Sequence, residues 1–429
     1  MDKLIIKGQA LLGGEVVISG SKNAGLPIII ATFLARGESK IMNIPPLVDI
    51  KIMLRLLAHF GAKIFLCNSQ VFIDTRNIAY VESDCALVKK MRASILLLGP
   101  LLNHFRKAKI FLPGGCAIGA RPINLHLDGL RAMGASISIE NNFVKASIGS
   151  SGLGSASIDL PFASVGTTQH LMLTATLVRG EVIINNAAKE PEVVDLATVL
   201  KKMGAKIWGE GTSKIKINGV RSLKALNYKL SADRIEIGTF IAVAAICGSE
   251  IILKNVNKNQ FNAVLKTFQK SGCQFEWLFD DVSNNNSTFL KVYGPKKLLS
   301  TDISTQNYPG FPTDMQAQFM ACMTLANGVS YIKENIFENR FMHVHELNRL
   351  GASISIHGNC AVVKGLDKLC GANVIATDLR ASACLVIAAL KAKGTSVISQ
   401  IYHLDRGYFN LEKKLSALGA NIKRISNQN

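Results

Sequence analysis

One phrase recurs six times along the 429 residues: an apolar helix-like run, a glycine usually followed by alanine, then a short β-rich run. It first reads Leu57-Ala58-His59-Phe60-Gly61-Ala62-Lys63-Ile64 and returns around Gly134, Gly204, Gly272, Gly351 and Gly419, with 68 to 79 residues between successive glycines. A helix stopped by a left-handed glycine and feeding a strand accounts for the phrase. A second glycine stands 23 to 25 residues upstream of five of these, at Gly37, Gly180, Gly248, Gly328 and Gly394. Each ends another apolar run and opens another strand. The second repeat departs, with Asn103 to Lys107 joining its helix to Ile110-Phe111-Leu112. Units of this length exceed the period of TPR or ankyrin arrays. A doubly wound dinucleotide-binding sheet lacks its sign, since no G-x-G-x-x-G follows a strand. The pattern predicts an α/β fold of six units, each running strand, helix, strand, helix, then strands. The first helix of each unit has almost no polar face and should be buried.

What stands at the start of each buried helix is informative. A helix N-terminus offers free N–H groups and the positive end of the dipole, which suits anions. The six starts are Ser21-Lys22-Asn23-Ala24, Met91-Arg92-Ala93-Ser94, Ser164-Val165-Gly166-Thr167-Thr168, Asp233-Arg234-Ile235-Glu236, Pro312-Thr313-Asp314-Met315-Gln316 and Asp378-Leu379-Arg380-Ala381-Ser382. Capping explains the Ser, Thr and Asp residues. It does not ask for Lys22, Arg92 or Arg380, because a cation opposes the dipole there. If the units pack around common axes, these ends can line one cleft.

The loop Pro113-Gly114-Gly115-Cys116-Ala117-Ile118-Gly119-Ala120-Arg121-Pro122 stands apart from the repeat. A cation near Cys116 would lower its thiol pKa and raise its reactivity. Cys247, Cys322 and Cys384 sit in apolar helical runs and read as small core residues. Nine cysteines without a C-x-x-C pair form neither a disulfide framework nor a zinc site of familiar spacing. His343-Val344-His345-Glu346 does not suggest a metal, since residues at i and i+2 do not share a helix face. The Asn284-Asn285-Asn286 tract reads as a polar loop. No apolar run approaches the length of a membrane span, and Met1 to Gly8 does not resemble a secretory signal. The expectation is a cytoplasmic protein. The net charge of +19 comes mostly from lysines in runs no longer than two, with aromatic residues at only 7%. That pattern speaks against a nucleic-acid surface, where basic and aromatic residues interleave, and is compatible with attraction of small anions.

On these residues the chain resembles the enolpyruvyl transferase family, in the branch that acts on UDP-N-acetylglucosamine. The most specific pieces are Gly20-Ser21-Lys22-Asn23-Ala24, the Cys116 loop, Phe311 to Gln318, Phe337 to His343, Thr377 to Ser382, and His403-Leu404-Asp405-Arg406-Gly407-Tyr408. All six occur in order, and the resemblance spans essentially the whole chain. It implies an inside-out α/β barrel of two lobes, each of three βαβαββ units: 22–230, and 1–21 with 231–429. The active site would lie in the cleft between the lobes, which would close on the nucleotide sugar. The implied substrates are phosphoenolpyruvate and UDP-N-acetylglucosamine, with no metal, cofactor, nucleic acid or membrane partner; oligomeric state is not implied.

The implied roles follow the charge of the substrates. Lys22, Arg121 and Arg406 would hold the phosphate of phosphoenolpyruvate. Arg340 and Arg380 would hold its carboxylate, and Asn23 would support the tetrahedral intermediate. Cys116 would deliver the proton to C3. Asp314 would meet the sugar 3-hydroxyl as general base, with Asp378 as a second candidate for proton movement. Arg92, Arg121, Pro122, Ile123, Asn124, Leu125, Ser164, Val165, Gly166, Asp314 and Ile336 would contact the nucleotide sugar. Phe162 stands where some relatives have Lys, and His345 where Pro is expected. Because Cys116 is retained, fosfomycin should inactivate the enzyme; activity surviving saturating treatment would oppose this. The sister 3-phosphoshikimate 1-carboxyvinyltransferase lacks this Cys loop. An RNA-binding protein built on a similar module, and an inactive homologue, complete the alternatives.

Overall fold

In a computed structural model that describes residues 2–82, 85–89, 91–112, 123–279 and 288–426, the six repeat glycines all take positive φ. Gly61, Gly134, Gly204, Gly272, Gly351 and Gly419 lie between +90° and +106°. Each follows a helix and precedes a strand, so the phrase marks a left-handed helix stop that a side chain would strain. At the upstream position, where five repeats have a glycine at positive φ, the second repeat turns without one. Arg106, at φ +60°, ends the helix Leu98–Phe105, and its N–H donates to the Leu102 carbonyl. The Cys116 loop, with Arg121 and Pro122, and the Asn284-Asn285-Asn286 tract lie outside the described residues.

Six sheets form among the described residues, five of them to one recipe. Glu38–Met42 is parallel to Asn227–Lys229 on one side and antiparallel to Gln70–Asp74 on the other, which pairs with Lys63–Cys67. Arg179–Asn185, Glu250–Lys254, Val329–Lys333 and Thr395–Ser399 occupy the same position in four more sheets. The sixth joins Lys107–Phe111, Phe143–Ser147 and Ser136–Glu140, without a parallel partner among the described residues.

The chain divides into two units, residues 2–19 with 232–426 and residues 20–112 with 123–231. Each contains three of the sheets. The N-terminal residues belong to the first unit through two strands. Lys3–Lys7 lies antiparallel between Thr395–Ser399 and Asn421–Ile425, and Gly13–Val17 runs parallel to Glu250–Lys254.

The apolar helices are the inside of each unit. In the first, Arg234–Cys247, Gln316–Met323 and Leu379–Lys391 pack on one another, with nearly every position buried. Cys322 and Cys384 are fully buried there, and burial pushes both thiols well above the ordinary range. In the second, Lys22–Thr32, Val165–Ala175 and a composite of a 3-10 turn, Arg92–Leu97, with Leu98–Phe105 do the same. Each buried Leu or Ile contributes about 1.5–3 kcal/mol by leaving water. Among the described residues, no helix is long and apolar enough to cross a membrane.

Candidate active site

The starts of the buried helices carry the polar groups, and capping uses the residues that favour it. Ser21, Ser164, Asp233 and Asp378 each accept a first-turn N–H. Gly20 has its own reason. A Cβ there would lie 1.8 Å from the Asn43 carbonyl oxygen, so only glycine lets the chain enter the Lys22 helix at this point. Inside that helix, Pro27 offers no N–H to the carbonyl of Asn23, one turn earlier.

In the unit containing residues 232–426, three predicted residues meet. Asp314 is the middle residue of a 3-10 turn, Thr313–Met315, that leads into the helix Gln316–Met323. Arg340 Nη2 donates to Asp314 Oδ1 at 2.8 Å, and Arg380 Nη2 donates to Oδ2 at 2.7 Å. Both guanidiniums are buried. Burial alone would lower the pKa of Arg380; the Asp314 carboxylate outweighs it and holds the group above its ordinary value. Arg380 Nη1 also donates to the Tyr408 hydroxyl at 3.2 Å. That hydroxyl lies 2.8 Å from Thr239 Oγ1 and accepts from Gln318 Nε2 at 3.2 Å. Two cations on one carboxylate, with a hydroxyl network behind one of them, form a charge cluster joined by charge-assisted hydrogen bonds.

Glu334 fixes the segment that carries this cluster, and nothing in the sequence singled it out. It is buried at the end of the strand Val329–Lys333. Its Oε1 accepts from the Thr305 hydroxyl at 2.8 Å and from the N–H groups of Ile336 and Phe337 at 2.8 and 3.3 Å. Its Oε2 accepts from the Thr313 hydroxyl at 2.9 Å. One carboxylate therefore ties the residue before Asp314 to the segment of Ile336. Asp378 Oδ1 accepts from the N–H groups of Arg380 and Ala381 at 2.7 and 3.0 Å, so it caps the helix that carries Arg380. Arg406 ends the 3-10 segment Ile401–Arg406; burial and then its charge lower the pKa of His403.

The remaining predicted residues belong to the other unit. Lys22 Nζ lies 3.0 Å from Oδ2 of Asp49, a buried carboxylate in the first turn of Val48–His59. Asn23 follows Lys22 in the same helix. Arg92 opens its 3-10 turn, and Ser164, Val165 and Gly166 begin the helix Val165–Ala175. Ile123 caps Asn124–Ala132, whose first two residues are Asn124 and Leu125. Phe162 is exposed. Lys22 and Arg380, two of the three cations that capping does not explain, thus have carboxylate partners. Asp49 was not legible, since an acidic residue in a helix's first turn is ordinary.

Apolar helices inside three sheets in each unit, with two arginines gathered on one carboxylate in one of the units, are the features to set beside known proteins. The family model described as EPSP synthase (3-phosphoshikimate 1-carboxyvinyltransferase) matches residues 6–415, and the chain belongs to that family of enolpyruvyl transferases. Within it, the chain is 52% identical over 425 residues to the UDP-N-acetylglucosamine 1-carboxyvinyltransferase of Geotalea uraniireducens, covering 99% of this chain and 100% of that one. The Myxococcus xanthus protein of the same name is 46% identical, with 99% of each chain covered. Among solved structures, the enolpyruvyl transferase NikO from Streptomyces tendae superposes with a TM-score of 0.88 at 23% identity, over 100% of this chain and 99% of that one. EPSP synthase from Acinetobacter baumannii gives 0.79 at 17% identity, over 99% of this chain and 100% of that one. At such identities these two likenesses concern the fold.

Proposed function

We propose that the chain transfers the enolpyruvyl group of phosphoenolpyruvate to the 3-hydroxyl of UDP-N-acetylglucosamine, releasing phosphate, as the first committed step of peptidoglycan synthesis in the cytoplasm. Full-length identity near 50% to curated enzymes of that name supports the acceptor. The observation that carries the chemistry is the Asp314 carboxylate held by Arg340 and Arg380. The finer architecture belongs to the same reading: an inside-out barrel of six βαβαββ units, in lobes of 22–230 and 1–21 with 231–429.

The sugar hydroxyl attacks C2 of phosphoenolpyruvate while Cys116 gives a proton to C3. The tetrahedral intermediate then loses phosphate from C2 and a proton from C3, which restores the double bond. The acceptor hydroxyl must lose its proton, and Asp314 takes it. Both carboxylate oxygens of Asp314 are engaged by the two guanidiniums. The carboxylate of phosphoenolpyruvate has the same charge and the same two-oxygen geometry. It competes for Arg340 and Arg380, and the displaced Asp314 has its oxygens released to accept the proton as the electrophile arrives. Lys22, Arg121 and Arg406 hold the phosphate, and Asn23 supports the intermediate. Arg92, Ile123 to Leu125, Ser164 to Gly166 and Ile336 contact the nucleotide sugar. Asp378, engaged in capping, serves better to orient Arg380 than to move protons.

Phosphate release from phosphoenolpyruvate tests the reading, with UDP-N-acetylglucosamine or shikimate 3-phosphate as acceptor. Release with the nucleotide sugar alone is expected. Release with shikimate 3-phosphate alone would replace the acceptor, and release with neither would overturn the reading.

A further inference from the structure

Behind Arg380 lies a buried network that the chemistry above does not use. Tyr408, Thr239 and Gln318 are each 2% exposed or less. Gln318 comes from the helix Gln316–Met323, Thr239 from Arg234–Cys247, and Tyr408 from the chain just after Ile401–Arg406. That last segment sits tightly against the residue before Arg380: a Cβ on Gly407 would lie 2.5 Å from Leu379 Cδ1.

Among the described residues, three groups meet the Tyr408 hydroxyl, and their chemistry fixes its proton. Arg380 Nη1, at 3.2 Å, can only donate. Gln318 also presents its nitrogen. The same Nε2 donates to the Asp314 carbonyl at 2.9 Å, and an amide oxygen there would face another oxygen. Thr239 Oγ1, at 2.8 Å, is the one acceptor left, so the phenol O–H donates to it. Thr239 donates its own proton to the Ile235 carbonyl, 2.8 Å away. Burial raises the phenol above its ordinary range, against the charge of Arg380, so the proton is present to be donated.

The Tyr408 oxygen therefore accepts from Arg380 on one side and from Gln318 on the other. The Gln318 amide spans both members of the ion pair: one N–H holds the backbone of Asp314, and the other holds the anchor of Arg380. Their spacing is thus set by one side-chain amide as well as by their mutual attraction. This matters when the pair opens. As the carboxylate of phosphoenolpyruvate takes the place of Asp314, Nη2 of Arg380 changes partner while Nη1 keeps the phenol oxygen. A long side chain fixed in advance loses less freedom on binding.

We propose that Tyr408 and Gln318 are positioning residues for the recognition of phosphoenolpyruvate: Tyr408 keeps Arg380 aimed while its ion pair is exchanged, and Gln318 keeps Asp314 in register with it. The inference rests on the functional reading above, which supplies the carboxylate.

The test is steady-state kinetics of the full-length protein, with phosphoenolpyruvate, UDP-N-acetylglucosamine and inorganic phosphate as the varied ligands. Tyr408→Phe keeps the ring and removes the hydroxyl. Its KM for phosphoenolpyruvate should rise about tenfold, as expected for loss of one hydrogen bond to a charged group, with a smaller change in kcat. The inhibition constant of inorganic phosphate and the KM for the nucleotide sugar should not move, since neither ligand carries that carboxylate. Gln318→Met removes both N–H bonds; it should raise the same KM and also lower kcat. Because both residues act through Arg380, the double variant should raise KM by less than the product of the single effects. A fall in kcat at unchanged KM, an equal weakening of phosphate, or a multiplicative double variant would overturn the inference. If Tyr408→Phe does not fold, Thr239→Val against Thr239→Ser carries the test. Only the valine removes the acceptor of the phenol O–H, so only it should raise the KM for phosphoenolpyruvate; equal values would overturn the inference. An unmodified protein that releases no phosphate with UDP-N-acetylglucosamine would sink the functional reading itself. Normal release, with an unchanged KM in Tyr408→Phe, would sink only the roles of Tyr408 and Gln318.

Discussion

At the scale of residues, the Asp314 cluster makes the sharpest prediction. Asp314→Asn removes the charge that Arg340 and Arg380 share, leaving two buried cations without their carboxylate. Breaking such a cluster from one side costs about 3–5 kcal/mol of stability. Turnover should fall by at least about 100-fold with loss of the proposed general base, while affinity for phosphoenolpyruvate should hold or tighten, because its carboxylate no longer has a competitor. Single-turnover kinetics and equilibrium binding separate the two effects; weakened phosphoenolpyruvate binding would count against the exchange of carboxylates. Lys22, Arg92 and Arg380 stand out in the sequence because a cation at a helix start breaks a local rule. Glu334 and Asp49 do not. Each is an ordinary residue where it stands in the sequence, and its partners lie in other elements.

At the scale of elements, two helices carry predictions. Gly238 lies in Arg234–Cys247 where a Cβ would approach Met315 Sδ to 2.6 Å, and Met315 is the neighbour of Asp314. Gly238→Ala should therefore destabilise by about 1–3 kcal/mol by overpacking and lower kcat by moving Asp314. Met315→Ala in the same chain should restore part of both; strictly additive effects would mean that the helix does not act through Met315. In the helix Pro191–Lys202, burial raises the Asp195 carboxyl from 3.8 to about 6, helped by Glu192. A raised folded-state value means that its contribution is present below about pH 4 and lost as pH rises through 6. Asp195→Asn should then stabilise the protein by up to about 3 kcal/mol above pH 7 and by nothing near pH 4. Denaturant titrations at both values check it, and a pH-independent gain would contradict the burial argument. The repeat was legible at this scale because left-handed helix stops favour glycine. The exception at Arg106 shows that the conformation, rather than the residue, is what repeats. The parallel strand of the five four-stranded sheets was not legible as a partner, since pairings such as Asn227–Lys229 with Glu38–Met42 join distant parts of the chain.

At the scale of the whole molecule, the two units differ in how much sequence they need. All three sheets of the unit spanning residues 20–231 draw their strands from within it. A fragment of those residues should fold alone, with cooperative thermal unfolding. A fragment beginning at residue 232 lacks Lys3–Lys7, an interior strand of its sheet, and Gly13–Val17 at the edge of another. It should remain aggregation-prone until a peptide of residues 1–19 is supplied. Independent folding of the second fragment would show those strands to be dispensable.

The place of Lys3–Lys7, held between strands at 395–399 and 421–425, has a consequence for biosynthesis. A ribosome releases that segment long before its two neighbours. The strand must wait, unpaired and half apolar, while the other unit is made and has time to fold. The cell therefore holds a sticky strand in suspense until the partners at 395–399 and 421–425 emerge. Pausing and chaperone occupancy both act on that interval.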